Sequence, residues 1–267
     1  MPAIDINGTS LYYEEAGNGP AMLFIHGMAG FAGVWADQMA RFSAAFHCVA
    51  YDRRGHSRSP KGNVIQESVE LHGDDAAALI KALQLAPVFL VGSSGGARIS
   101  IDLLRRYPEL VRGAALSEPP VFALSPSIGA DFMSQVKPAV EKALSSDQPQ
   151  SAVDAFFHVI DPTFWDHAPD ERKAVYRANL PAMLADLQQP LYQVTTVDLG
   201  RIDRPCMMMY GSASMKSFIE IAKIVAGAIP NCRLEEIAGA GHATYAARPV
   251  EFAVAVREFI SSLSVVK

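Results

Sequence analysis

Val88-Phe89-Leu90-Val91-Gly92-Ser93-Ser94-Gly95-Gly96-Ala97 is the stretch that decides how this chain folds. Four apolar residues predict a buried strand. A serine between glycines follows at once, and the helical spacing of Ala97, Ile99, Ile101, Leu103 and Leu104 then begins. Gly92, Ser94 and Gly96 occupy the fixed places of G-x-S-x-G, a weak pattern alone and a strong one between a strand and a helix. The expected geometry is a tight turn that holds Ser94 in a strained backbone conformation with its hydroxyl exposed. A Cβ at either flanking position would collide with the turn or the adjoining strand. The helix start also offers free N–H groups and a positive dipole end to a developing oxyanion. Ser93 does not fit the central place, because position 91 would then have to be small and it is valine.

Outward from this turn, strand-like apolar runs recur at Ser10–Glu15, Ala21–His26, Cys48–Tyr51, Gly113–Ser117, Cys206–Tyr210 and Arg233–Ile237. Helical patterns occupy Gly33–Ala45, Ser68–Leu85, Ala97–Tyr107, Ser217–Ala228 and Pro249–Ser262. The turn chemistry of Ala16-Gly17-Asn18-Gly19-Pro20 predicts that the first two strands pair as a hairpin. The remaining alternation predicts an α/β fold, a mostly parallel sheet with helices on both faces. Ligands bind such sheets beyond the carboxyl ends of the strands. From Pro119 to about Gly200 the alternation stops. Three or four helical patterns, punctuated by prolines and rich in aromatic residues, predict a helical cap over residues 119–200. The core is then 1–118 and 201–267.

Composition narrows the function. With 267 residues, half of them hydrophobic, the chain can bury a large core. A net charge of −5 gives no footprint for nucleic acid or anionic lipid. Neither a signal-peptide layout nor an apolar run of about 20 residues is present, so the expectation is a soluble, cytoplasmic protein without membrane contact. Cys48, Cys206 and Cys232 lack metal-ligand spacing and read as small buried hydrophobes. No phosphate loop or dinucleotide fingerprint is present, so no cofactor and no metal are expected, and the partner is a small-molecule substrate. Oligomeric state leaves no trace in the sequence.

The residues that follow the strands carry the chemistry. His26-Gly27-Met28-Ala29-Gly30 lets backbone approach a ligand, and the N–H groups of Met28 and Gly95 are candidate oxyanion donors. The polar loop Asp52-Arg53-Arg54-Gly55-His56-Ser57-Arg58-Ser59-Pro60 reads as scaffold hydrogen bonding. Ala238-Gly239-Ala240-Gly241-His242 delivers a histidine to the carboxyl end of the last strand, which makes His242 the candidate general base. His47 and His72 read as structural, while His158 and His167, in the cap, are placed to touch substrate. Trp35 reads as core, with Met28 beside the pocket.

Together these residues resemble the α/β-hydrolase superfamily over nearly the whole core. The matching pieces are His26-Gly27-Met28, Asp52-x-x-Gly55-His56-Ser57-x-Ser59, Gly92-x-Ser94-x-Gly96, and Gly241-His242 followed by Arg248-Pro249-x-Glu251-Phe252. The resemblance implies an eight-stranded sheet. It also implies that Ser94 attacks an acyl carbon, His242 takes its proton, two backbone N–H groups hold the oxyanion and a carboxylate orients the histidine. Position 57, usually glycine in the family, is serine here, which implies altered local turn geometry. The family's usual acid, in G-x-x-D after the penultimate strand, is replaced: Gly211-Ser212-Ala213-Ser214 ends in a serine that carries no charge. Glu118 directly follows Gly113–Ser117, where some members place their acid, and the order Ser94…Glu118…His242 fits. Asp203 precedes its strand and falls at the opposite edge; the cap acids Asp131 and Asp161 are alternatives. The expected function is therefore a serine hydrolase of a small carboxylic ester or lactone. C–C bond hydrolysis, a cofactor-free oxygenase, and a non-catalytic ligand receptor with a degenerate triad are the alternatives on the same fold.

Overall fold

Strands buried on both faces need cover on both sides, and this chain supplies it with helices. The structure, a computed structural model, describes residues 2–62 and 67–263. Its strands are β1 (Ala3–Ile6), β2 (Thr9–Ala16), β3 (Ala21–Ile25), β4 (His47–Tyr51), β5 (Val88–Ser93), β6 (Val111–Ser117), β7 (Cys206–Gly211) and β8 (Cys232–Ile237). They form one eight-stranded sheet in the order β1-β2-β4-β3-β5-β6-β7-β8. Pairing is antiparallel at β1–β2 and β2–β4 and parallel from β4 onward. Every residue of β5 and β7 is buried, as expected of central parallel strands. The mostly parallel eight-stranded α/β sheet is thus as the sequence implies.

The expected first hairpin is not formed. Strand β4 lies between β2 and β3, and Leu23 pairs with Val49 while Glu15 pairs with Val49 from the other side. The turn at Gly17–Gly19 instead lets the chain pass close to the loop after the first helix, where a Cβ on Gly17 would overlap the Ser43 carbonyl oxygen. The actual hairpin is β1–β2, closed by Asn7 and Gly8, both at positive φ (46° and 73°). Two positive φ values suit the right-handed twist of the flanking strands.

Helices α1 (Ala36–Phe42), α2 (Val69–Ala82) and α3 (Gly95–Arg106) precede a run of six between β6 and β7: α4 (Pro126–Leu144), α5 (Ser151–Ile160), α6 (Pro162–His167), α7 (Asp170–Ala178), α8 (Leu180–Gln188) and α9 (Thr196–Leu199). Helices α10 (Lys216–Ala228), α11 (Thr244–Ala247) and α12 (Pro249–Leu263) complete the chain. The run between β6 and β7 holds more helices than the three or four expected, because prolines open new ones. Pro126 and Pro162 are first residues and Pro181 is second, positions where a missing N–H costs nothing. Among the described residues no strand interrupts it. Helix α2 packs on α3, α1 packs on α12, and α10 covers β7 and β8. Trp35, fully buried, anchors the core under the β3 loop, with its ring 4.4 Å from that of Tyr245 and 5.4 Å from that of Phe24.

Candidate active site

The turn from β5 into α3 holds Ser94 at φ 54° and ψ −121°, a left-handed conformation that non-glycine residues rarely adopt. Its surroundings enforce it. A Cβ on Gly96 would overlap the Ile25 carbonyl, and one on Gly92 would stand 2.8 Å from the backbone of Ala97. The Ser94 N–H donates to the Ser117 carbonyl at 2.8 Å, which ties the turn to β6 and leaves the side chain to face outward. Strain held in place by close packing of this kind concentrates at functional sites.

Across from the serine, the loop after β3 brings Met28 close. The Met28 nitrogen lies 3.6 Å from where a Cβ on Gly95 would stand, and neither amide donates to a protein acceptor among the described residues. His26 fixes this loop. Its Nδ1 bonds the Gly27 carbonyl at 2.8 Å, and its Nε2 accepts from the Arg53 N–H at 2.9 Å. That pair of contacts requires a neutral ring with its proton on Nδ1. Burial, reinforced by Arg53 and His56, holds the His26 pKa well below the ordinary value, so the ring stays neutral.

The polar loop after β4 is scaffold, as its sequence suggests. Asp52 accepts from the Ala32 N–H at 2.6 Å and from Arg58 Nε at 2.7 Å, and Arg54 pairs with Asp75 at 2.7 Å. Ser57 departs from expectation. Its backbone keeps a φ of 46°, the conformation glycine favours, and its N–H donates to Asn179 Oδ1 at 2.7 Å, so the turn accommodates the serine.

Glu118 is fully buried at the end of β6 and meets His242 directly: Oε2 lies 2.5 Å from Nδ1. The same carboxylate accepts the Gly211 N–H at 2.8 Å and the Ser214 hydroxyl at 2.7 Å. Ser214, which stands where an aspartate was expected, is therefore a hydrogen-bond donor to the acid that stands elsewhere. His242 Nε2 is buried without a hydrogen-bond partner among the described residues, and the Phe218 ring stacks on the imidazole at 3.9 Å. Ser94 and His242 line one small cavity of about 40 Å³. No hydrogen bond joins Ser94 Oγ to Nε2, and bonds of this type commonly close only around bound substrate. A larger cavity of about 320 Å³ also reaches Ser94, walled by Met28, Phe122, Phe132, Phe156 and Leu187.

Asp161 enters the site in a way its sequence position does not reveal. It caps α6 through the Phe164 N–H at 3.0 Å and accepts the Ala243 N–H at 2.8 Å, so the helical segment grips the His242 loop. Asp131 and Asp203 are exposed and remote from the imidazole's hydrogen bonds. His158 and His167 are exposed, bonded to Asp166 and to the Thr163 carbonyl, and do not line either cavity, contrary to expectation. His72, buried beside Glu67 at 3.3 Å, is part of the interior as expected. Glu67, His72 and Asp186 each bring one ligand atom within 4.8 Å of the others. The Arg53 guanidinium, 2.6 Å from Asp186, already supplies positive charge there. Burial alone would raise the Asp186 carboxyl, yet Arg53 and His56 hold it well below the usual carboxylate range.

A model of the alpha/beta hydrolase family matches residues 22–256. The chain belongs to that family. Among relatives, an uncharacterized hydrolase of Bacillus subtilis is 38% identical over 117 residues, 43% of this chain and 43% of that protein. The 2-(acetamidomethylene)succinate hydrolase of Mesorhizobium japonicum is 40% identical over 109 residues, 41% of this chain and 39% of that protein. The chain thus matches about two fifths of the length of these two hydrolases. A thermophilic esterase from Thermogutta terrifontis superposes with a TM-score of 0.81, covering 98% of this chain and 99% of that one at 20% identity. At that identity the likeness is one of fold.

Proposed function

We propose that this alpha/beta hydrolase is a serine hydrolase that cleaves small carboxylic esters or lactones through an acyl-enzyme on Ser94. The observation that carries the reading is the 2.5 Å contact between Glu118 and His242 Nδ1, which leaves the unpartnered Nε2 in a cavity shared with Ser94. Ser94 Oγ attacks the acyl carbon while His242 Nε2 takes its proton. The tetrahedral oxyanion is met by the N–H groups of Met28 and Gly95, which have no other acceptor among the described residues. Glu118 keeps the Nδ1–H tautomer and stabilises the imidazolium. The imidazolium then protonates the departing alkoxide, and water, deprotonated by the same nitrogen, releases the acid. The helices over residues 119–200 serve as the cap that closes the larger cavity, and its aromatic walls select an apolar chain.

The two relatives described above are named hydrolases, which favours hydrolysis over oxygenation. A fluorophosphonate probe tests the nucleophile: labelling is expected on the native protein and absent from Ser94→Ala. A burst of 4-nitrophenol from 4-nitrophenyl acetate is the expected mark of acylation. Persistent labelling of the alanine variant would move the nucleophile, and the absence of both signals would favour a ligand receptor.

A further inference from the structure

The larger cavity is mostly apolar, with Ser94 and Gln189 as neutral polar groups and two charged side chains, Asp186 and Arg98, that are in opposite situations. Asp186 is satisfied. Arg53 donates to both of its oxygens at 2.6 and 3.4 Å, and Gln189 donates at 2.8 Å. Arg98 is not. Its guanidinium makes no hydrogen bond and no ion pair within 4.0 Å among the described residues, and its Nε is buried with no partner. The charged and titratable groups near it are Asp186, Arg53, Tyr192 and Glu70, and burial lowers its pKa from the usual arginine value. The side chain is half-buried, with Nε shut away from water, so an anion in the cavity would supply the close partner that the guanidinium lacks within 4.0 Å.

Its place on the helix says where that counter-charge would sit. Arg98 lies one turn beyond Ser94, with its N–H donating to the Ser94 carbonyl at 3.1 Å. Arg98 is the fourth residue of α3, and helical side chains lean toward the helix start. The Arg98 side chain therefore leans back toward the serine end of the cavity. His242 lines the smaller cavity and Arg98 the larger, with Ser94 on both, so a leaving group protonated by His242 would face the first and an acyl chain the second.

We infer that Arg98 is a specificity residue that pairs with a free carboxylate on the acyl portion of the substrate, making hemiesters of short dicarboxylic acids the preferred class. The inference rests on the serine-hydrolase reading for its turnover arm alone. A planar guanidinium with free N–H groups suits a carboxylate bidentately, and the phenylalanine walls suit the methylene chain between the two carbonyls.

Ethyl hydrogen glutarate and ethyl pentanoate, which differ at the chain terminus, are the test pair. The native protein is expected to prefer the hemiester in kcat/KM, and Arg98→Met is expected to reduce that preference by about 10- to 100-fold, the scale of a lost charge-assisted hydrogen bond. Arg98→Lys should keep part of it. Glutarate should bind the native protein in calorimetry and lose affinity by a similar factor in Arg98→Met, whether or not esters turn over. Fluorophosphonate labelling of Arg98→Met reports whether the serine site remains folded. An unchanged preference with unchanged glutarate binding overturns the inference, as does an equal loss on both esters accompanied by a fall in melting temperature. Glutarate binding that depends on Arg98, without labelling or turnover in the native protein, overturns the hydrolase reading and leaves the carboxylate site standing.

Discussion

At Glu118 three donors converge on one buried carboxylate: an imidazole, a backbone amide and the hydroxyl of Ser214. Glu118→Gln keeps the shape but removes the charge that supports an imidazolium, and it permits the wrong tautomer. On the proposed mechanism, kcat for an ester should fall roughly 10²- to 10⁴-fold. The geometry offers a relocation test. Ser214 Oγ is 2.7 Å from the very oxygen that contacts His242, so a carboxylate at 214 would stand next to the imidazole. Glu118→Gln combined with Ser214→Asp should regain at least about tenfold of the lost kcat, a fraction of the factor at stake. Steady-state rates of the two variants decide it, and a double variant no faster than Glu118→Gln would mean that the site accepts its acid only from the end of β6. Position along the chain was enough to single out Glu118, because the residue after a parallel strand lies at the carboxyl edge. The Ser214 hydroxyl was not legible as its partner. The two are far apart in sequence, and a serine looks like a deletion of charge until its oxygen is seen beside the carboxylate.

Among the elements, α6 is anchored at its N-cap to the loop that carries the candidate base. Asp161 accepts two N–H groups with its two oxygens, Phe164 in the first turn of α6 and Ala243 beside His242. Asparagine cannot repeat this, since one of its two terminal atoms is a donor that would face an N–H. Asp161→Asn and Asp161→Ala should therefore both destabilise the protein. The alanine variant should lose about 1–2 kcal/mol from the helix cap, with a further penalty for the buried Ala243 N–H. At about 2–4 °C per kcal/mol for a chain of this size, calorimetric melting should drop by several degrees. A melting temperature unchanged within error would show that the His242 loop holds its place without the helical segment. Element boundaries were legible wherever burial is complete, as in β5 and β7, because continuous apolar runs mark parallel strands. They were not legible in β1, whose residues alternate between exposed and half-buried at the sheet edge. The signal that could have found it is Asn7-Gly8, a two-residue hairpin turn between Ala3–Ile6 and Thr9–Ala16.

For the molecule as a whole, the interior polar cluster under the β3 loop sets how stability responds to pH. His26 and His72 are buried, and burial lowers the pKa of each below that of the unfolded chain. The unfolded state therefore takes up protons that the folded state refuses once pH falls below about 6.5, and stability declines by up to about 1.4 kcal/mol per pH unit for each ring. The groups facing them do not reverse this. Arg53 and His56 act in the same direction on both rings, while Glu67 and Asp186 oppose it on His72 without overcoming burial. A second decline should begin near pH 4. Glu67 and Asp186 hold their protons less tightly folded than unfolded, so the stability they contribute is present above the unfolded carboxylate pKa and is lost as pH falls through the folded values. Asp102, raised by burial, gains stability as pH falls and works against the second decline. Urea unfolding at pH 8, 6.5 and 5.5 should show a flat upper range and then a loss. His72→Gln, which removes one titrating ring, should reduce the slope between pH 6.5 and 5.5 by up to half. A free energy of unfolding that stays level down to pH 5.5 would mean that these rings accept protons in the folded state. The neutral His26 that holds the Met28 loop through the Arg53 N–H would then be untenable.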